Sequence, residues 1–598
     1  MRIKKRIAII GGGFSGLSSI RALKEVDIEP VCYERTSGPG GTWCYREEAT
    51  YGVPSIMPTT VINHSKEMGA LSNFPPKKEY ANYMRHSECY KYFKDIGDKC
   101  DCFRHMIFNR EVISVRKSID YDKTGQWQVK VKNSLNGEIT SDIFDGVMVC
   151  TGHITYPKLC SFPGLEKFKG KVIHTHSLKK MDEFAGQKVC VIGIGCSALD
   201  AAVESSSVAE QVYLSTRSGS WIFPRVGPYG VPMDYSLLRR YITFFQDILP
   251  ISLSSKFIET FYLNNKFNHD LYNLRPQYHV LCKDPSINDA FPSKLLSKSV
   301  LLKKDIKYFT ENGVVFEGEN SVTEVDTVIM ATGYEWKFPF LEDDIITTEN
   351  DGRINLYKCM WSPNLKHQTL VIIGFVLPFG PGFPLGEIQC RWVAQIFSGK
   401  MQLPSKDVMM DEIVKRHEAN MKRYRPGDKM SIRVDYIPYM DDIASQFGAK
   451  PNLLKILITD PKLFKALVLG PSLSYQYRLQ GPHKWDGARK AILDANERMK
   501  APLNGTDSKR KKNLRWSFLV KYVINLLLLS LWISWKDSSM KYYIAAMLLP
   551  QYMSLKSFFL KYVFATLMLP FLFPWNGFMP NYIFTHLASL ILTAMSSL

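Results

Sequence analysis

Two short glycine patterns carry the first chemical information in this chain. In "RIAIIGGGFSGLSSIRALKE" (6–25), Gly11, Gly13 and Gly16 fall in GxGxxG register, with Gly12 between them. In "VCVIGIGCSALDAA" (189–202), Gly193, Gly195 and Ala198 give the GxGxxA variant. Each pattern ends an apolar run and opens a helical one. At such a junction the backbone N–H groups and the positive end of the helix dipole meet phosphate, and glycine lets a pyrophosphate approach the backbone. "EPVCYER" (29–35) follows the first pattern and presents Glu34, a carboxylate able to accept hydrogen bonds from ribose hydroxyls. "QVYLSTRSGSW" (211–221) follows the second and presents Arg217 instead. An arginine there pairs with a 2′-phosphate that an acid would repel. The two cradles are therefore expected to hold different cofactors, FAD at the first and NADPH at the second. Ser197 and Asp200 sit at the start of the second helix as further contacts. Asp200 could equally complement the helix dipole, and Arg217 could be a solvated cation at a strand end.

The elements that must position these residues are βαβ units. The expected fold class is α/β, with two Rossmann-like dinucleotide-binding domains, a helical insertion and a hydrophobic membrane-binding C-terminal tail. Each unit is followed by an apolar strand ending in Thr-Gly, "FDGVMVCTGH" (144–153) and "VDTVIMATGYEW" (325–336). These mark the returns between domains. The expected division is 1–155 for the first part of the FAD-binding domain and 156–330 for the NADP-binding domain. Residues 331–445 form the second FAD part, 446–513 a helical region with a basic linker, and 514–598 the tail. Residues 233–295, poor in glycine and rich in aromatics, are read as a helical insertion, either core packing or a membrane-facing patch.

Composition narrows the function classes. The 598 residues are 45% hydrophobic and 22% charged, an ordinary globular balance. The twelve cysteines form no CxxC pair, and no HExxH motif occurs. That argues against a dithiol redox centre and a protein-ligated metal. The formal charge is +19 without a nucleic-acid-binding motif, so anionic lipid is the favoured macromolecular partner and no nucleic acid is expected. The first strand leaves no room for a signal-peptide core, which places the N-terminus in the cytosol. "SKRKKNLRW" (508–516) precedes an apolar end with no Asp, Glu, Lys or Arg after Lys561. "NYIFTHLASLILTAMSSL" (581–598) approaches the length of a membrane span, whereas "YVINLLLLSLWISW" (522–535) is too short alone. A C-terminal membrane anchor with a cytosolic catalytic body is expected.

Further segments resemble flavin-containing monooxygenases of the microsomal, dimethylaniline N-oxide-forming type. "FKGKVIHTHSL" (168–178) is similar to that family's FxGxxxHxxx(Y/F) signature through Phe168, Gly170 and His174, with Leu178 replacing the terminal aromatic. "GPGGTW" (38–43) resembles its GGxW segment, which implies that Gly41, Thr42 and Trp43 lie near the flavin. "VINHSKEMGALSNFP" (61–75) resembles the segment whose Asn faces the isoalloxazine, implying Asn63 as catalytic donor with His64 beside it. "MATGY" (330–334) resembles the family's strand end, and "GEIQCRW" (386–392) a flavin-domain helix with Gln389 as an FAD contact. Asn63 as a loop cap, Trp43 as core and His174 as a structural bridge are the competing assignments.

The resemblance implies an enzyme in which NADPH reduces FAD, the reduced flavin adds O₂ to form a C4a-hydroperoxide, and retained NADP⁺ shields it. Oxygen then passes to a nitrogen or sulfur of a small amine or thioether. It also implies the endoplasmic reticulum and allows a homo-oligomer. Three alternatives share the two cradles: a disulfide or quinone reductase, a Baeyer–Villiger ketone monooxygenase (with NADPH oxidase activity as a variant), and a membrane-tethered nucleotide-binding scaffold without turnover.

Overall fold

The computed structural model describes residues 4–503, apart from 348, 350–352 and 425–429. Short β-branched runs form the buried strands, and the glycine turns feed each strand into a helix. The chain opens with β1 (Arg6–Ile10), α1 (Phe14–Lys24), β2 (Glu29–Tyr33), β3 (Met106–Ile107) and β4 (Gly146–Val149). It continues with β5 (Lys171–His174), β6 (Lys188–Ile192), α2 (Cys196–Ser205), β7 (Gln211–Ser215), β8 (Val300–Lys303) and β9 (Thr327–Met330). β10 (Leu370–Ile372) and α3 (Gly382–Phe397) follow.

Two five-stranded parallel sheets result, ordered β10-β4-β1-β2-β3 and β8-β7-β6-β9-β5. β1 and β6 are central, and Ile7–Ile10 and Val189–Ile192 are buried, as parallel strands covered on both faces require. β10 belongs to the first sheet although it follows the entire second sheet in sequence. An antiparallel three-stranded sheet precedes β4 (Arg110–Lys117, Trp127–Asn133, Ile139–Phe144) and another precedes β9 (Ile306–Thr310, Gly313–Phe316, Thr323–Glu324). The fold is mixed α/β with Rossmann-like sheets.

The two cradles repeat each other in backbone detail. Gly11 N donates to Tyr33 O at 2.9 Å, and Gly193 N to Ser215 O at 3.0 Å. Both glycines have φ in the left-handed range, +106° and +126°. A Cβ on Gly11 would stand 2.7 Å from the Cys150 carbonyl oxygen, and one on Gly193 2.7 Å from that of Ala331. Each of those carbonyls precedes a Thr-Gly pair, so the strand ends noted in the sequence are the walls against which the first glycines press.

Between 233 and 295 the helices concentrate in the first half. They occupy Met233–Leu237, Arg240–Ile248, Ile251–Phe257 and Ile258–Leu263, then only Phe291–Leu296 beyond a brief turn at Val280–Cys282. Asn264, Asn265, Asn268 and Asn273, with Pro276 and Pro285, favour turns over helix in the intervening stretch. Among the described residues no helix is long and apolar enough to cross a membrane. The apolar segments at 522–535 and 581–598 lie outside the described residues.

Candidate functional site

The α1 N-terminus opens on a cavity of about 400 Å³, a size typical of ligand sites. Gly13 is the N-cap of α1, no side chain caps the helix, and its first turn holds no acid. The unpaired N–H groups and the dipole are thus available to an anion. Gly11, Gly12, Gly13, Glu34, Gly41, Thr42 and Trp43 all line this cavity. Glu34 is buried and rigidly held: Oε2 accepts Gly12 N–H at 2.7 Å, and Oε1 accepts Thr36 N–H at 2.9 Å and Thr36 Oγ1–H at 2.7 Å. Arg35, Arg46, Arg110 and Lys337 also reach the cavity, a surplus of cations suited to a pyrophosphate. Arg46 secures the Gly41 turn through Gly41 O, Cys44 O and Thr36 Oγ1.

Gly13 and Gly16 do different work. A Cβ on Gly13 would meet only Gly41 Cα at 3.5 Å, an ordinary contact, so the protein itself leaves room there. A Cβ on Gly16 would collide with Gly11 O at 2.0 Å, because α1 packs directly on the turn. Bare backbone at Gly13, an uncapped helix and a clamped carboxylate at the ribose distance in sequence together fit an FAD-type dinucleotide.

Of the remaining residues expected at the flavin, Asn63, His64 and Gln389 do not line this cavity, although an aromatic residue that does line it contacts one of them. Phe383, at the start of α3, stacks on Phe14 at 3.8 Å and meets the edge of Trp43 at 5.8 Å; all three line the cavity. His64 packs edge-on to the other side of Phe383 at 5.1 Å, and burial pushes its imidazole down to about 4. Asn63 and His64 are not among the lining residues. Gln389 does not line the cavity either. It is fully buried, Oε1 accepts Gly374 N–H at 2.8 Å, and Nε2 donates to Tyr439 Oη at 2.7 Å. Gly374 does line the cavity, so Gln389 acts by holding that turn.

The second cradle is open. Gly195 is the uncapped N-cap of α2, again with no acid in the first turn. A Cβ on Gly195 would meet nothing within 4 Å, and Gly195, Ser197 and Arg217 are exposed. Ala198 is buried against the second core, where glycine or alanine alone permits close helix–sheet packing. Asp200 accepts from Asn288 Nδ2 at 2.8 Å; burial raises its carboxyl above the usual range. It therefore anchors a loop. The cradle and free guanidinium fit an exchangeable, phosphorylated dinucleotide.

The His174 signature ties its own strand end to the cavity wall. His174 Nδ1 accepts His176 N–H at 3.0 Å, which requires a neutral ring, and His176 Nε2 is 2.7 Å from Val53 O, part of the cavity wall. Leu178 is buried among Met57, Phe184 and Leu199 in the second core, so its side chain fills space where the signature carries an aromatic.

Arg225 and Asp234 escaped sequence reasoning. Arg225 Nη2 donates to Asn63 Oδ1 at 2.8 Å, and Asp234 Oδ2 accepts Ser65 N–H at 2.6 Å. Burial raises the Asp234 carboxyl to about 6. Both lie over 160 residues from their partners, and no local pattern connects them. Among the described residues no cluster of His, Cys, Asp or Glu could hold a metal ion, and all twelve cysteines are free.

Residues 4–536 match the flavin-binding monooxygenase-like family. The chain is 44% identical over 502 residues to flavin-containing monooxygenase 5 of Homo sapiens, covering 84% of this chain and 93% of the relative. It is 40% identical over 519 residues to dimethylaniline monooxygenase [N-oxide-forming] 2 of Macaca mulatta, covering 86% and 96%. Among solved structures, S-allyl-L-cysteine S-oxygenase from Allium sativum shares the fold with a TM-score of 0.57 at 23% identity, over 83% of this chain and 99% of that one. An ε-caprolactone-bound cyclohexanone monooxygenase shares it at 0.54 and 17%, over 76% and 98%. A two-cradle chain matched over this length belongs to the flavin-binding monooxygenase-like family and is an FAD- and NADPH-dependent monooxygenase.

Proposed function

We propose that FAD occupies the enclosed Gly11–Gly16 cradle, that NADPH docks at the open Gly193–Ala198 cradle through Arg217, and that the enzyme oxygenates soft nitrogen or sulfur atoms of small amines and thioethers. The contrast between a cavity of about 400 Å³ at the first cradle and an exposed glycine turn at the second carries this assignment: one nucleotide is retained while the other exchanges. The bound flavin supplies the oxygen-activating chemistry, with electrons from NADPH. The chain's own residues bind, orient and exclude water. Gly13 and the α1 N-terminus take the pyrophosphate, Glu34 the ribose, and the Phe14–Phe383–Trp43 cluster keeps the flavin side apolar. Asn63, next in sequence to the His64 that packs on Phe383, supplies an amide donor on the flavin side. The names of the relatives, an N-oxide-forming monooxygenase and an S-oxygenase, support heteroatom oxidation. The test is product analysis with an amine, a thioether and a ketone under NADPH. N-oxide and S-oxide products are expected; ester from the ketone as the main product would reverse the substrate class.

The same proposal places the catalytic body on the cytosolic face of an endoplasmic reticulum membrane. The uncharged stretch after Lys561 and the basic run at 508–516 support it. So do exposed apolar side chains on the insertion, Phe244, Ile248, Leu253 and Phe261. Truncation after residue 505 is expected to reduce membrane retention on fractionation. An unchanged membrane fraction would shift the anchor to the insertion.

A further inference from the structure

One phenol pins both ends of a hairpin. Tyr83 Oη donates to Arg225 O at 2.7 Å and accepts Met233 N–H at 3.1 Å. Between these points Gly227 N donates to Val231 O at 2.7 Å, and Val226 bridges Pro232. Asp289 secures the entering strand, Oδ1 accepting Arg225 N–H at 2.8 Å and Val226 N–H at 3.3 Å.

From this base two side chains reach the same turn, Asn63–Ser65. Arg225 Nη2 donates to Asn63 Oδ1 at 2.8 Å. Asp234 Oδ2 accepts both Ser65 N–H at 2.6 Å and Ser65 Oγ–H at 2.9 Å, and its Oδ1 accepts Tyr235 N–H at 2.9 Å. A guanidinium has donors only, so it can engage just the oxygen end of an amide. With that oxygen taken, the Asn63 NH₂ group is the end left for another acceptor. Asp234 is buried, so the Ser65 hydrogen bonds are shielded from water and hold the turn strongly.

We propose that hairpin 225–234 sets the direction of the Asn63 donor: Arg225 selects which end of the amide is presented, and Asp234 fixes the turn through Ser65. Both are positioning residues for the reaction. This rests on Asn63 being the amide donor beside the flavin.

The experiment compares Asn63→Ala, Arg225→Leu, Asp234→Ala and the double variant Asn63→Ala/Arg225→Leu as full-length, flavin-loaded enzyme. NADPH-reduced enzyme is mixed with oxygen without substrate, and the delay before oxidised-flavin absorbance returns is timed. Hydrogen–deuterium exchange of the peptide around Asn63–Glu67 is followed separately. Asn63→Ala should shorten the delay about 10²-fold, the scale of losing one preorganised donor. Arg225→Leu and Asp234→Ala should approach that loss, and the double variant should be no worse than Asn63→Ala alone. Asp234→Ala should raise exchange of the peptide, and Asp234→Asn, which keeps a carbonyl acceptor for Ser65, should restore most of both readouts. If the alanine and leucine variants lose flavin, Asp234→Asn and Arg225→Lys carry the comparison, with a smaller shortening expected for Arg225→Lys. Additive losses in the double variant, or unchanged exchange and delay in Asp234→Ala, would overturn the hairpin's role while leaving Asn63 in place. An unchanged delay in Asn63→Ala would instead remove the role of Asn63 itself, and the inference with it.

Discussion

Gly13 and Gly16 lie three residues apart in one motif, yet the structure separates their purposes, and paired substitutions test the separation. At Gly13 the backbone is extended at φ −85°, open to any residue, and an added Cβ touches only Gly41 Cα at 3.5 Å. Replacing an N-cap glycine with alanine loses on the order of 1 kcal/mol of capping and gains about 0.4–1 kcal/mol from a stiffer unfolded chain. The flavin-free protein should therefore keep its stability within about 1 kcal/mol. The new methyl, however, stands where a pyrophosphate must approach. Each charge-assisted hydrogen bond lost to backbone N–H costs about 1.5–3 kcal/mol, roughly 10- to 150-fold in affinity. Gly16→Ala behaves differently: a 2.0 Å collision with Gly11 O forces α1 off β1 whether or not flavin is present, at about 1–3 kcal/mol or more. The assay combines the flavin-to-protein absorbance ratio after purification, FAD titration of the stripped protein and its thermal unfolding. Gly13→Ala, and more severely Gly13→Val, should lose flavin without losing the fold, while Gly16→Ala should lose both. A Gly13→Val protein that copurifies with full flavin would refute the assignment of the first cradle.

Arg217→Ala should raise KM for NADPH at least tenfold while leaving KM for NADH nearly unchanged, because the exposed guanidinium serves only the extra phosphate; equal losses in a steady-state comparison would count against it. Leu178→Ala should cost about 2–5 kcal/mol in urea unfolding, and Leu178→Tyr about 1–3 kcal/mol, since the site beside Met57 and Phe184 is filled for leucine. Burial holds the imidazoles of His64, His174 and His269 near 4, against about 6.5 when unfolded. His174 and His269 also accept backbone N–H groups on a ring nitrogen. For a base whose folded value is depressed, the stability is complete above the unfolded value and is lost as pH falls toward the folded one. Urea unfolding should thus weaken from about pH 6.5 down to pH 4, and His269→Gln should flatten that slope.

The two cradles were legible because each is a local object. A strand, a glycine turn and a helix occupy about twenty residues, and the acid or arginine that tells the riboses apart lies one strand further on. The Thr-Gly strand ends were visible for the same reason. The asymmetry in surroundings was not: Gly13 and Gly195 look alike in sequence, but the turn at Gly40–Trp43 and the start of α3 line a cavity beside only the first, and an added Cβ meets Gly41 at Gly13 and nothing at Gly195. Nor was the place of Gln389 legible, whose buried amide bonds Gly374 and Tyr439 across 15 and 50 residues of chain. Arg225 and Asp234 reach Asn63 and Ser65 across 162 and 169 residues of chain. Neither hydrophobic periodicity nor motif spacing encodes a side-chain pairing at that separation. What the letters alone determined was the number and kind of nucleotides held; which cradle borders a cavity, and which residues hold the turn at Asn63–Ser65, was decided by long-range packing, because cavities and side-chain pairings are properties of surfaces brought together only when the chain folds.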